Sequence, residues 1–333
     1  VHPSLYAQNV LSDFHSQEVV TSFFSLIIDE RYDQLVIKAD FDAFRANRMK
    51  DMSHEAILEF SNAQGKTNTW NVTIEPRGNF RRSVCVDMPP IRIIFPKETL
   101  REKGFPENYR KYRLVTHCLN KPESQQTLLK EYWAYKLYNE ITTQSFRVHL
   151  MKVNYFNTAN NSTEQQFAFL VEDNDELEDR LNGKMKDLWG MTKDQLQESS
   201  YQNMVLFQYM IGNADWSIPE YRNLRFIYPK GSEKAIVVPY DFDCSGLVNA
   251  FYARPNINVG QQQVKQRVVM GKMSAEGLAL TAEKFSYLAS KPWSFEDANH
   301  LTAISQQEMK SYLADFVKLL KNNKQLQRLF LEK

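Results

Sequence analysis

Between residues 31 and 118 the chain is a succession of short apolar runs that suit strands rather than helices. "QLVIKADF", "EAILEFSN", "TNTWNVTIEPRG", "PIRIIFPK" and "KYRLVTHC" are each of strand length, rich in β-branched or aromatic residues, and broken by turn residues. Runs of this kind present one face to a core and must pair with one another, so a sheet structure is expected here. The preceding residues, 9–30, are expected to begin as a short amphipathic turn and run into a strand.

The period then changes. Over 126–141, Leu128, Leu129, Tyr132, Trp133, Tyr135, Leu137, Tyr138 and Ile141 recur at helical spacing, with Lys130, Glu131 and Lys136 among them. That predicts one long helix with a broad buried face. "SFRVHLMKVNYF" and "QQFAFLVE", joined by the polar "NTANNST", read as a hairpin. Beyond 172 helical patterns take over at 175–188 and 193–211, the second stopping at Gly212. Two strands, "NLRFIYP" and "KAIVVPYDF", interrupt them, and from 256 onward the chain is expected to be mostly helical, ending in the 306–331 pattern. The expected fold is α+β with two lobes, a strand-rich 1–171 carrying the 126–141 helix and a helix-rich 172–333.

Composition narrows the class of function. The 333 residues are 43% hydrophobic and 24% charged, ordinary values for a chain with a sizeable core. With 41 basic and 40 acidic residues intermixed, nothing selects nucleic acid or an anionic membrane as partner. No apolar run approaches the ~18–20 residues needed to span a bilayer. The opening "VHPSLYAQN" has a small residue before Gln8, as many signal-peptide cleavage sites do, and reads as a remnant of an exported, periplasmic or secreted, precursor. The cysteines leave the compartment open. Cys85 and Cys118 could pair if their strands are neighbours, leaving Cys244 free, and three scattered cysteines in a reduced cytoplasm would look the same.

Chemistry concentrates in two segments. "IGNADWSIPEYRNLR" (211–225) leaves a helix and enters a strand, placing Asn213, Asp215 and Asn223 in a loop. "VVPYDFDCSG" (237–246) ends an apolar run in two aspartates one residue apart, and strand alternation puts Asp241 and Asp243 on one face with Phe242 on the other. Taken singly, each aspartate reads as a turn, cap or salt-bridge residue. Together they form an oxygen-only set that suits Mg²⁺ or Mn²⁺ and the needs of phosphoryl transfer. Asp215 fits the base that orients a hydroxyl, and Asn223 and Asp241 fit the metal.

In the strand-rich half, "RGNFRR" offers Arg77, Asn79, Arg81 and Arg82 around a glycine, read either as an ordinary hairpin turn or as a loop closing over a polyphosphate. His117 and His149 have no partner histidine at ligand spacing and read as hydrogen-bonded structural groups. Trp189, Trp216 and Trp293 read as packing anchors rather than a sugar platform. The G-x-S-x-G serine-hydrolase signature and the G-x-G-x-x-G kinase loop are both missing.

"RGNFRR…C…PPIRIIF", "YRLVTHC", "EYWAYKLYNEITTQSFRVHL", "IGNADWSI…RNLRFI" and "VPYDFDCSGLVNAFYARP", spread over about residues 70–255, resemble bacterial proteins related to the spore-coat protein H (CotH) kinase-like family. The resemblance implies an atypical protein-kinase-like fold using ATP and a divalent metal. It makes Asp215 the catalytic aspartate, Asn223 and Asp241 metal ligands, and Asp243 their support. Arg92, Lys97 and Lys111 compete to be the phosphate-binding cation, with Glu131 as its partner. Asp215 and Asn223 are farther apart than in an ordinary kinase loop, so the loop must bulge. The acceptor would be a protein or a small hydroxyl compound. The alternatives are a pseudokinase that binds nucleotide without turnover and an exported envelope protein without catalysis.

Overall fold

The computed structural model describes residues 22–290 and 300–332; the expectations for the first 21 residues and for Trp293 lie outside the described residues. Strands concentrate in the N-terminal half and helices in the C-terminal half. The strand-rich half is not an open kinase-like sheet. Its seven strands, β1 (Gln34–Ala39), β2 (His54–Ser61), β3 (Thr67–Pro76), β4 (Ile91–Ile94), β5 (Lys111–Val115), β6 (Val148–Asn157) and β7 (Ser162–Val171), close into a barrel in the order β1-β2-β3-β4-β5-β7-β6. Neighbours pair antiparallel except at the seam, where β6 runs parallel to β1 with Gln34 opposite Lys152. Period-two patterning sends Leu35, Ile37, Leu58, Phe60, Ile74 and Leu114 inward.

Aromatic side chains fill the barrel from the end. Helix α1 (Phe23–Asp29) stands where a strand was expected. Ser22 caps it by accepting the Ser25 N–H, and its buried Phe23, Phe24 and Ile27 share one helical face. The Phe23 ring lies 4.9 Å from Trp70, 4.5 Å from Phe95 and 5.6 Å from Tyr112. Short helices α2 (Phe41–Ala46), α3 (Asn79–Val84) and α4 (Lys97–Glu102) decorate the barrel. "RGNFRR" is thus a helix start, not a hairpin turn. Cys85 at its end is bonded to Cys118, with Cα atoms 4.3 Å apart, and Cys244 is free.

The long helix α5 (Pro122–Ile141) connects β5 to β6 and buries its apolar face in a second core with α7 (Glu198–Ile211). Tyr138 meets Phe207 at 4.5 Å, and Tyr135 meets both Phe169 of the barrel and Phe242. The helix expected over 175–188 is shorter. It ends as α6 (Asn174–Arg180), and β8 (Gly183–Met185) follows, because Asn182 takes a left-handed turn and Gly183 packs against β9 (Leu224–Pro229), where a Cβ would sit 2.6 Å from Ile227. β10 (Ile236–Pro239) completes this three-stranded sheet. Residues 256–274 contain only one 3₁₀ turn, and the final helices are α8 (Ala275–Ser290), α9 (Ala303–Leu320) and α10 (Asn323–Phe330). No helix among the described residues is long and apolar enough to cross a membrane.

Candidate functional site

The first loop begins at a forced glycine. Gly212 ends α7 with φ +65°, and a Cβ there would lie 1.9 Å from the Tyr312 hydroxyl. Asn213 follows, its Oδ1 accepting the Asp215 N–H at 2.9 Å. The chain then makes an excursion in which Ser217 and Arg222 exchange two backbone hydrogen bonds, and Tyr221 and Asn223 take left-handed φ angles. This miniature hairpin is the expected bulge. It returns Asn223 beside Asp215, eight positions back, where Nδ2 donates to the Asp215 carbonyl at 2.7 Å and to its Oδ2 at 3.0 Å.

The second loop is stitched to the first by backbone. The Tyr240 N–H donates to the Asn223 carbonyl and the Gly246 N–H to the Gly212 carbonyl. Asp241 is left-handed, with φ 64°, and its N–H donates to the Tyr135 hydroxyl of α5 at 2.8 Å. Phe242 is fully buried between Tyr135 and Phe207. Asp243 accepts the Tyr252 hydroxyl at 2.8 Å.

Arg81 of α3 joins the halves. Its Nη1 lies 3.2 Å from Glu131 of α5 and 3.9 Å from Asp243, its Nη2 reaches the Thr116 carbonyl, and it stacks over the Tyr252 ring. Burial opposes its charge, but Tyr252, Glu131, Asp243 and Asp241 outweigh that and hold its proton more firmly than usual. Glu131 is pushed up by burial and by Asp243 and Asp241, which outweigh Arg81. Asp241 is pushed up by burial and Asp243, against Arg81, Arg77 and Arg113. Burial and Asp241 raise Asp215, with Arg222 and Asn223 opposing. Glu131, Asp241, Asp243 and Arg81 therefore share one field, which reaches Asp215 through Asp241, at the junction of the strand-rich and helix-rich halves.

The other residues named from the sequence fall in different places. Arg77 is part-buried and feels Asp241, yet makes no ion pair or side-chain hydrogen bond among the described residues. Arg82 is taken up by Asp51, the Gly78 carbonyl and the Lys50 carbonyl, and Asn79 is exposed at the first turn of α3; neither joins the aspartates. Arg92 pairs with Glu75 at 3.1 Å on the barrel surface. The cation paired with Glu131 is thus Arg81, not Arg92, Lys97 or Lys111. His117 bonds Asn120 and His149 bonds the Tyr32 carbonyl, as structural groups. Trp216 is buried, whereas Trp189 is 78% exposed and anchors no core. With Glu220, Tyr221, Arg222, Asn223 and Tyr240 it lines an open pocket of about 470 Å³ beside Asp215.

Two arginines that went unnoticed in the sequence complete the surroundings. Arg113 of β5 lies 4.3 Å from the Phe146 ring and 5.6 Å from that of Tyr240; Arg225 of β9 lies 4.4 Å from Tyr240 and 5.3 Å from Tyr221. Rings and guanidinium groups alternate in one stack. Burial, then Arg77 and Arg225, push Arg113 down to about 10. Period-two alternation was the available signal, since Tyr112 and Leu114 point inward and Arg113 must point out.

Among the described residues no three carboxylate, histidine or cysteine side chains stand together as a metal cage. The donors fit a cation that keeps water and substrate oxygens. Asp241 has no side-chain partner among the described residues, and Asn223, with Nδ2 committed to Asp215, keeps its Oδ1 free. Compared with models of known protein families the chain matches none, and no curated protein matches it.

Proposed function

We propose that this protein is a kinase-like phosphotransferase related to the CotH group, moving a phosphoryl group from ATP to a hydroxyl acceptor with Mg²⁺ or Mn²⁺. One observation carries the reading: Asp241, a part-buried carboxylate without a partner, stands in the field of an arginine, Arg77, that also has none among the described residues. The two act on each other without forming an ion pair. An unpaired acid can take a cation and an unpaired base an anion, which is what a metal–phosphate supplies.

Bound ATP and its metal would supply the transferable group and neutralise its charge. Asp215, its proton affinity raised by burial and Asp241, would take up the proton of an acceptor hydroxyl, while Asn223 fixes its orientation. Asp241 and the Asn223 Oδ1 would hold the metal, with Asp243 and Glu131 fixing Arg81 behind them. The acceptor, a protein side chain or a small hydroxyl compound, would enter by the Trp189 pocket. A barrel in place of an open sheet departs from the kinase layout, but the order is kept: a cation from the strand-rich half on a helical glutamate, an aspartate before a β-hairpin and an aspartate after it. The Cys85–Cys118 disulfide supports an extracytoplasmic setting. A pseudokinase is the second reading, favoured because the cation on Glu131 is an arginine rather than the lysine of active kinases.

The test is ATP binding and phosphate transfer, autophosphorylation included, in the parent and two variants. Asp241→Asn should abolish metal-dependent ATP binding, and Asp215→Asn should keep affinity within about threefold while turnover falls ~10²-fold or more. ATP binding that survives Asp241→Asn unchanged would overturn the metal assignment.

A further inference from the structure

We infer that Arg77, Arg113 and Arg225 form a cradle for a polyphosphate chain, able to bind it without a metal ion. This rests on the phosphoryl-transfer reading and names the group that holds the donor's phosphates.

Part-buried cations are normally matched by carboxylates, because an unpaired one loses hydration without recompense. Around Arg113 that pattern is reversed. Arg113 is set against Arg77 and Arg225, and none of the three has an acidic side chain within ion-pair distance among the described residues. Aromatic faces hold Arg113 and Arg225 instead, through Phe146, Tyr240 and Tyr221. A guanidinium lying on a ring keeps its in-plane N–H groups for other partners. Of five such donors each, Arg113 commits one to the Glu172 carbonyl at 3.4 Å and Arg225 one to the Leu224 carbonyl at 3.1 Å. Arg77 commits none.

The three come from separate elements: the turn after β3, the outward face of β5 and the start of β9. Asp241 feels the charge of two of them, Arg77 and Arg113. Guanidinium forks that hold no acid suit a ligand that is extended, multiply negative and rich in oxygen acceptors. A phosphate chain has that chemistry, whether it belongs to a nucleoside triphosphate or is inorganic.

The experiment is isothermal titration of the full chain in EDTA with sodium tripolyphosphate and, separately, with ATP. Saturable one-to-one binding of tripolyphosphate is expected, weakened tenfold or more by Arg113→Gln, Arg225→Gln or Arg77→Gln. Arg77 has no ion pair, side-chain hydrogen bond or ring contact to lose among the described residues, so its variant is the one that disturbs the fold least. Arg101→Gln, on a surface pair with Glu107, should bind like the parent. Asp241→Asn should bind metal-free tripolyphosphate at least as tightly as the parent, because a like charge is removed. Equal affinity for ATP and tripolyphosphate, or tighter ATP, supports the cradle; ATP binding without tripolyphosphate binding overturns it. So does tripolyphosphate binding that all three arginine variants retain, or none by the parent at millimolar concentration. If metal-dependent transfer fails while this binding persists, the enzymatic reading falls and the cradle stands.

Discussion

Replacing Arg81 should damage the protein far more than replacing the glutamate it bonds. The arginine is 10% exposed at its side chain and serves Glu131, 2% exposed, at 3.2 Å and Asp243, 7% exposed, at 3.9 Å. Arg81→Met leaves two buried carboxylates without a cation, and breaking such a pair from one side costs ~3–5 kcal/mol. Glu131→Gln is different. The amide oxygen still accepts from Arg81, Asp243 still balances the charge, and the repulsion that pushes Glu131 up disappears. That change should alter stability by less than ~1 kcal/mol. In the double variant Glu131→Gln should recover part of the Arg81→Met loss, a coupling of ~1 kcal/mol or more. Urea is the right denaturant, since a salt would screen the charges at issue. Unfolding followed by tryptophan fluorescence and circular dichroism gives the midpoints. Equal losses for Arg81→Met and Glu131→Gln, or strict additivity, would refute a shared arginine.

Gly212→Ala should lower the melting midpoint by several degrees, from ~1–2 kcal/mol of left-handed strain plus the contact with Tyr312, and Tyr312→Phe in the same chain should restore part of it. Replacing Cys85 and Cys118 by alanine opens a loop with a sequence separation of 33 and should cost about 3–4 kcal/mol in urea unfolding. Glu176 has its carboxyl pushed up to about 7 by burial and Glu172. A raised folded pKa contributes stability below the unfolded value near 4.5, lost as pH climbs through 7. Unfolding free energies from urea titrations should therefore fall between pH 5 and pH 8 by an amount on the order of 3 kcal/mol, and Glu176→Gln should flatten the fall.

Local periodicity made much of this fold legible. β1, β2 and β3 fall where alternation predicts them, because each strand carries its own pattern of inward residues. Barrel closure was hidden, since it depends on Gln34 meeting Lys152, a pairing with no local signature. α1 was misread because seven residues show too little of a period to separate helix from strand. The two acidic loops were legible for the same reason as the strands. Gly212, Asn213 and the paired aspartates announce turns and charge within a few residues of one another. Arg113 and Arg225 were not, because only tertiary packing brings their rings and cations together.

Closure of the barrel through a parallel seam bears on how the chain is made. β1 leaves the ribosome before the other strands of the barrel, yet one of its edges belongs to β6, which ends at Asn157. At roughly 5–20 residues per second that edge waits roughly 6–24 s for its partner. Until then it is an open row of backbone donors and acceptors, the kind of template that recruits foreign strands. α5, which carries Glu131, also emerges before β6. Nascent chains stalled before β6 should accordingly be bound by chaperones and cut by proteases, and chains stalled well beyond β7 should resist both.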